Sequence, residues 1–333
     1  MYIDNNRISG LKLGRSPFFT RLASNPFLSC IEVPTNQVSA WTNASTNTVS
    51  TDNGVAFADN CTGYRVPQSE RAALIAFYNA TGGGTDWTGN FWDTDVNSLS
   101  NVGAWSGVTT ELINGQKHVT KLLLNSNFNG TVPSEIKDLT ELQELQLTSG
   151  SLTSLPSTIG SLDKLVRLTI ASKLTILPSE IGGMDALVSL RLTSNSLASL
   201  PAGIGDFKSL EELYLGSQTR RNVTTNVLEK TLTSLPDEIG NITTLKILDL
   251  SSNKLMSLPS TIGNLSNLER LSLQNQKSED GITGTLTSLP TSIGTLSALK
   301  ELNLENNGLT ILPDEIGGLV NLETLYIQSQ TKF

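Results

Sequence analysis

The sequence predicts an α/β repeat solenoid. This is a right-handed superhelix with a parallel β-sheet along its concave side and short helical or irregular segments along its convex side. Two observations carry this expectation. From Val119 to the last residue an apolar phrase recurs about every 23 residues, a period that marks a stacked array of small units. Within each copy a strand-like Leu-x-x-Leu-x-Leu is followed by Leu-Pro-x-x-Ile-Gly, spelled once by Leu142, Leu145, Leu147, Leu152, Leu155, Pro156, Ile159 and Leu162. The same positions return over 187–207, 245–265 and 299–319. One copy cannot fold alone. Burying its aliphatic side chains contributes about 2 kcal/mol each, whereas ordering about 23 residues costs about 1–2 kcal/mol apiece. Neighbours and end caps must supply the rest.

This phrase resembles the repeats of the leucine-rich repeat family, in the form found in bacterial surface and secreted members. The resemblance implies binding rather than catalysis. It also organises the chain. The opening Tyr2-Ile3-Asp4-Asn5-Asn6-Arg7-Ile8 resembles the strand and asparagine portion of a repeat entered halfway. The segments 25–34 and 54–61, with Trp41 between them, resemble the closing cap of such an array, and this resemblance implies a disulfide between Cys30 and Cys61. Residues 1–61 are therefore expected to be the end of a preceding array with its C-terminal cap, and 62–67 a linker.

A second unit is expected to begin at 68. Ser69 is a helix N-cap candidate, and Leu74, Phe77 and Tyr78 share one helical face. Gly82-Gly83-Gly84 ends that helix, and Trp87, Trp92 and Trp105 follow. The stretch 68–117 resembles the N-terminal cap of plant-type members without their paired cysteines, so the tryptophans are expected to hold it together. Residues 118–333 read as eight complete repeats and a ninth cut short.

Two repeats are too long, by about 12 residues after Leu215 and about 8 after Leu273, and per-repeat insertions map to loops on one face. Three residues past the strand leucine, ordinary repeats place Asn127, Asn195, Asn253 and Asn307. There an inward amide can satisfy loop backbone groups. The long repeats carry Gln218 and Gln276 instead, and Gln330 repeats that signature. The insertions should project side by side from the rim where the strands end. Arg220 and Arg221 on the first are placed to meet Glu279 and Asp280 on the second, forming a lip.

The leucines of each strand point inward, so the residues between them form the exposed concave surface. The middle column runs Leu123, Gln146, Thr169, Arg191, Tyr214, Asp249, Ser272, Asn303, Tyr326. Its neighbour runs Lys121, Glu144, Arg167, Ser189, Glu212, Ile247, Arg270, Glu301, Thr324. Arg167, Arg191, Tyr214, Ile247, Asp249, Arg270 and Tyr326 are the candidate ligand-binding residues, because aromatic and arginine side chains are favoured anchors.

Other chemistries find little support. A net charge of -8 and a pI near 4.8 argue against nucleic acid. No apolar run is long enough to span a bilayer, and the start of the chain has no signal-peptide pattern. The single histidine, His118, reads as a surface residue without a nucleophile motif. Asp93, Asp95 and Asn97 have the spacing of a calcium loop, but Ser98 and Ala104 stand where the turn glycine and the bidentate glutamate belong. No catalytic residue, metal or cofactor is expected. Asn-x-Ser/Thr acceptors at Asn43, Asn60, Asn79, Asn129, Asn222, Asn241 and Asn264 are compatible with export.

The expected function is a non-catalytic recognition module of a secreted or cell-surface protein, binding a protein or glycan on the concave sheet and rim loops. It should be monomeric apart from association through uncapped ends. The alternatives are an intracellular signalling scaffold, or the ectodomain of a receptor whose enzymatic domain lies outside this chain.

Overall fold

The computed structural model describes residues 66–83, 92, 94, 102–278 and 283–330, together with the backbone of five short strands nearer the start. Among those five, β1 (Tyr2–Asp4) pairs in parallel with β3 (Arg21–Ala23). A second parallel sheet has the order β2 (Leu11–Lys12), β4 (Cys30–Glu32), β5 (Ala56–Ala58). Trp41, Cys61, Trp87, Asp93, Asp95 and Asn97 lie outside the described residues, so the calcium-loop spacing does too, and of Cys30 only the strand backbone is described.

Helix α1 spans Gln68–Ala80. It starts two residues earlier than a Ser69 cap would place it. Pro67 occupies the N-cap with φ -51° and ψ 148°, no side chain caps the helix, and Ser69 sits exposed inside the first turn. Proline serves here because a helix entry needs its carbonyl, which accepts from Arg71 N–H at 3.1 Å, and not its missing N–H. At the other end Thr81 bonds the Phe77 carbonyl through both N–H (3.1 Å) and Oγ1 (2.7 Å). Gly82 then turns left-handed at φ 79°. Leu74 and Phe77 are fully buried, as their spacing predicts. Phe77 meets Phe128 of the first repeat edge-on at 6.2 Å. Tyr78, Trp92 and Trp105 stack in series at 5.7 and 5.0 Å, with the Arg71 guanidinium 4.9 Å from the Trp105 ring. Aromatic stacking thus joins the cap, as expected where cysteines are absent.

The main sheet opens with an antiparallel hairpin, β6 (Val108–Ile113) and β7 (Gln116–Asn125). Its turn is Asn114-Gly115 with φ 50° and 82°, the left-handed pair that fits strand twist. Parallel strands follow in order: β8 (Glu144–Thr148), β9 (Arg167–Ala171), β10 (Ser189–Arg191) and β11 (Glu212–Tyr214). After a side hairpin, β12 (Thr219–Arg221) with β13 (Leu228–Lys230), the sheet continues through β14 (Ile247–Asp249), β15 (Arg270–Ser272), β16 (Glu301–Asn303) and β17 (Thr324–Tyr326). Leu213 pairs in register with Leu248, and Leu271 with Leu302, across the two long repeats. The insertions therefore leave the stack in phase.

The convex side is a row of five-residue 3-10 turns, each entered from an extended proline, such as Asp237–Asn241 after Pro236 and Ser260–Asn264 after Pro259. The isoleucine N–H closes back on the proline carbonyl, for example Ile239 to Pro236 at 3.2 Å. The glycine of Leu-Pro-x-x-Ile-Gly sets the distance between coils. A Cβ on Gly240 would lie 2.3 Å from the Thr261 carbonyl oxygen, on Gly263 2.4 Å from that of Ser292, and on Gly294 2.1 Å from that of Glu315. At Gly317, in the last turn, nothing lies within 4 Å.

Inside the stack runs a ladder of amides, and Asn195, Gln218, Asn253, Gln276 and Asn307 are all fully buried. Asn253 Nδ2 donates to the carbonyls of Leu215 (3.0 Å) and Leu250 (2.8 Å), while its Oδ1 accepts from Gln218 N–H (2.9 Å). The residue before each amide is left-handed without being glycine, at φ 61° for Ser194, 59° for Ser217, 57° for Ser252, 64° for Asn275 and 55° for Asn306. Such backbone is costly and persists only where its surroundings over-determine it. The amide bonds do that. Asn127 is the exception and is exposed. Phe128 arrives one residue earlier than the leucine of later repeats and fills the inward position with its ring, 1% exposed.

The candidate concave binding face

The strand register aligns both predicted columns. Thr169, Arg191 and Tyr214 are successive partners, then Asp249, Ser272, Asn303 and Tyr326. Alongside run Arg167, Ser189, Glu212, Ile247, Arg270, Glu301 and Thr324. Alternation along each three-residue strand turns its central leucine inward and these residues outward.

At the middle of the face the side chains form a worked arrangement. The Arg191 guanidinium carbon lies 3.9 Å from the Tyr214 ring centre. Arg191 Nη2 donates to Glu212 Oε2 at 3.0 Å, and Ser189 Oγ donates to the same oxygen at 2.9 Å. The cation is thus held from two sides and its side chain stays 46% exposed. Arg167 is exposed and makes no ion pair among the described residues. Asp249 Oδ1 accepts Ser251 N–H at 2.9 Å, and Ile247 lies half-buried beside Glu212. Arg270 belongs to a different group, bonded through Nε to Glu301 at 2.9 Å. Tyr326 stands four strands from Tyr214, about 19 Å at 4.8 Å per strand. The candidates therefore divide into a central cluster and two outlying positions.

A second feature lies one column earlier, at the residue preceding each strand. Glu211, Lys246, Glu269, Lys300 and Glu323 alternate in sign and are linked in turn by backbone bonds from Lys246 N–H to Glu211 through Glu323 N–H to Lys300. Lys246 pairs with Glu211 at 2.8 Å and Lys300 with Glu269 at 2.7 Å. The bond and charge of Lys300 hold the Glu269 carboxyl below its ordinary value, and Glu269 raises the Lys300 ammonium in return. Lys246, Ile247, Glu269, Arg270, Lys300 and Glu301 line an open groove of about 290 Å³. Sign alternation at the first variable position of Leu-x-x-Leu was the signal for this column in the sequence.

The first insertion is the hairpin β12–β13. It is rooted by Thr219 N–H to the Asn195 carbonyl (2.7 Å) and Thr231 N–H to the Gln218 carbonyl (2.9 Å). The second repeats this geometry, with Lys277 N–H on Asn253, Thr285 N–H on Gln276 and an antiparallel bridge from Lys277 to Gly284. Both leave from the rim where strands end. Arg220 bonds Glu229 (3.3 Å) and Arg221 bonds Asn226 (2.8 Å to Oδ1), so each has a partner in its own hairpin. Glu279 and Asp280 lie outside the described residues, and with them the expected lip pairing.

His118 is not a simple surface residue. Its Nδ1 bonds Oε1 of Glu70, which is 1% exposed, and Glu70 Oε2 accepts Val119 N–H at 2.8 Å. Burial, the largest influence, pushes the Glu70 carboxyl above its ordinary value against these bonds. The pair fastens α1 to β7 and stands apart from the central cluster. Among the described residues, no group of three or more His, Cys, Asp and Glu is placed to hold a metal ion, and no helix is long and apolar enough to cross a membrane.

Comparison with known proteins agrees with the repeat geometry. Residues 135–230 match the family described as leucine-rich repeat region, and residues 244–265 and 298–319 match leucine rich repeat. Among solved structures, a plant peptide hormone receptor, RGFR1 in complex with RGF2, is 29% identical with a TM-score of 0.51, over 67% of this chain and 36% of that one. The Leptospira interrogans LRR protein LIC12759 is 30% identical with a TM-score of 0.32, over 60% of this chain and 71% of that one. The leucine-rich repeat domain of the type III effector XCV3220 (XopL) is 26% identical with a TM-score of 0.45, over 59% and 64%. The chain thus spans about a third of the plant receptor's length. Comparison with curated proteins finds no match. With its repeats, in-phase parallel sheet and buried amide ladder, the chain belongs to the leucine-rich repeat family.

Proposed function

We propose that the chain is a non-catalytic recognition module of a secreted or cell-surface protein, and that it binds a protein ligand on the concave sheet beside the two rim insertions. One observation carries this reading. Arg191 is stacked on Tyr214 and tethered by Glu212 at the centre of an open sheet. A cation fixed before binding loses little freedom on binding, and arginine and tyrosine are both enriched among the residues that anchor interfaces. The similar plant receptor is a peptide receptor captured with RGF2, which favours a protein ligand over a glycan.

The test is a binding screen of surface proteins and glycans against the chain, repeated with Arg191→Ala and Tyr214→Ala. Truncating an anchor costs about 2 kcal/mol or more, roughly a thirtyfold loss of affinity. A ligand indifferent to both substitutions would place recognition elsewhere. Export is a separate part of the proposal, with residues 1–61 as the end of a preceding array and Cys30 bonded to Cys61. Intact mass with and without alkylation checks it. Two alkylatable thiols in protein made through an export pathway would favour the intracellular scaffold.

A further inference from the structure

The hairpin β12–β13 gathers three exposed aliphatic side chains within six residues, whereas Ile176 at 61% and Ile311 at 69% are exposed singly on other repeats. Val223 is 99% exposed, Leu228 55% and Val227 45%. Framework leucines such as Leu213 and Leu248 are 0% exposed. Three such residues within one short hairpin form an apolar tip beside the rim of the sheet, a feature that marks interaction surfaces.

The hairpin is also braced. Asn222 Oδ1 accepts the N–H groups of Thr224 and Thr225 at 2.9 and 3.0 Å, and its Nδ2 donates to Glu229 Oε1 at 2.6 Å. Arg221 Nη1 reaches both the carbonyl and Oδ1 of Asn226, and Lys230 Nζ donates to the Asn275 carbonyl at 2.6 Å, tying the hairpin to the repeat of β15. These bonds order the tip before any ligand arrives.

Charge identifies the partner. The chain as a whole carries -8, and this sector holds Arg167, Arg191, Arg220 and Arg221 beside Glu144, Glu212, Glu229 and Asp249, of which Glu144 pairs with Lys121, Glu212 with Arg191 and Glu229 with Arg220. Arg221 bonds only the neutral Asn226, and Arg167 has no carboxylate partner among the described residues. Among the described residues two guanidinium groups therefore have no carboxylate partner, one on the sheet and one on the hairpin.

We propose that this sector binds an acidic polypeptide segment carrying an aliphatic anchor, with its carboxylates on Arg167, Arg191 and Arg221 and its aliphatic side chain against Val223, Val227 and Leu228. The inference rests on the concave-face reading and adds the chemistry of the ligand. The hairpin acts as a clamp at the edge of the sheet.

A random dodecapeptide library displayed on phage, selected against the full chain, tests it. Recovered peptides are synthesised and measured by fluorescence anisotropy. The expected peptides contain Asp or Glu together with Val, Leu or Ile. Their affinity falls about tenfold in the double variant Val223→Ser, Leu228→Ser, which removes the aliphatic contact, and about tenfold in Arg167→Gln, which removes one cation that braces nothing among the described residues. The urea midpoint of both variants stays at that of the parent, because the altered side chains are exposed. Peptides that depend on Arg191 and Tyr214 but ignore these variants, or that lack acidic residues, would overturn the inference and leave the concave-face reading standing. Peptides indifferent to Arg191→Ala and Tyr214→Ala, or no recovered peptide, would overturn both.

Discussion

Replacing Gly240 by alanine puts a methyl carbon 2.3 Å from the Thr261 carbonyl oxygen of the next coil. A relaxed carbon to oxygen contact is about 3.3–3.6 Å, so the two coils must part locally by about 1 Å. The obstructing atom is backbone, and its segment is held by the 3-10 turn Ser260–Asn264 with Ile262 fully buried behind it. Overpacking of this kind costs about 1–3 kcal/mol. The gain from a stiffer unfolded chain, about 0.4–1 kcal/mol, offsets part of it. The net loss for Gly240→Ala is about 1–2 kcal/mol. Gly317 occupies the same motif position with nothing within 4 Å and no left-handed φ. Gly317→Ala therefore keeps only the unfolded-state gain and stabilises by about 0.4–1 kcal/mol. Two identical substitutions at equivalent motif positions should move the urea midpoint in opposite directions at unchanged slope, followed by circular dichroism. Equal shifts would show that the glycine serves the turn itself and not the approach of the next coil.

Other outcomes follow from the same geometry. Asn253→Leu leaves Gln218 N–H and two leucine carbonyls without their buried partner; at about 1–3 kcal/mol for each unpaired group, the urea midpoint should fall by the equivalent of about 3 kcal/mol or more. Glu70→Ala strands Val119 N–H and the His118 ring, and a loss of about 2–4 kcal/mol is expected by denaturation, with Glu70→Gln milder because it still accepts from Val119. Because burial raises the Glu70 carboxyl, the folded chain holds that proton more tightly than the unfolded chain. Its contribution is full below the ordinary value of 4.5 and is lost as pH rises through the folded value. Urea midpoints of Glu70→Gln, compared with the parent between pH 4 and 7, should lack that fall. Lys300→Ala removes an exposed ion pair and should barely move the midpoint.

Much of this architecture was legible because a repeat displays each rule several times. The inward leucines, the paired columns and the rim origin of both insertions follow from spacing alone, and Arg191 and Tyr214 were already adjacent on paper. What spacing could not reveal was side-chain reach. Arg191 stacks toward Tyr214 and bonds Glu212, a choice among rotamers that no periodicity encodes. Tyr326 sits four strands from Tyr214, and Arg270, although it pairs in register with Ile247, bonds Glu301 on the opposite side. The reason for the motif glycine lies in the neighbouring coil rather than in its own. Ser69 misled because a serine ahead of an apolar face signals a cap, whereas Pro67 had already supplied the entry geometry. Asn127 misled because its repeat places Phe128 where later repeats leave room for the amide. His118 looked solitary because its partner, Glu70, lies on a helix far away in sequence.

We propose above that the ligand sits on the concave sheet at Arg191 and Tyr214. Hydroxyl-radical footprinting of the chain with and without a selected peptide tests it most directly, with Met256, 60% exposed and away from the strands, as the internal reference. Peptide binding should shield Tyr214 from oxidation and leave Met256 as reactive as before. Unchanged oxidation of Tyr214 with Met256 shielded would place the ligand away from the concave sheet.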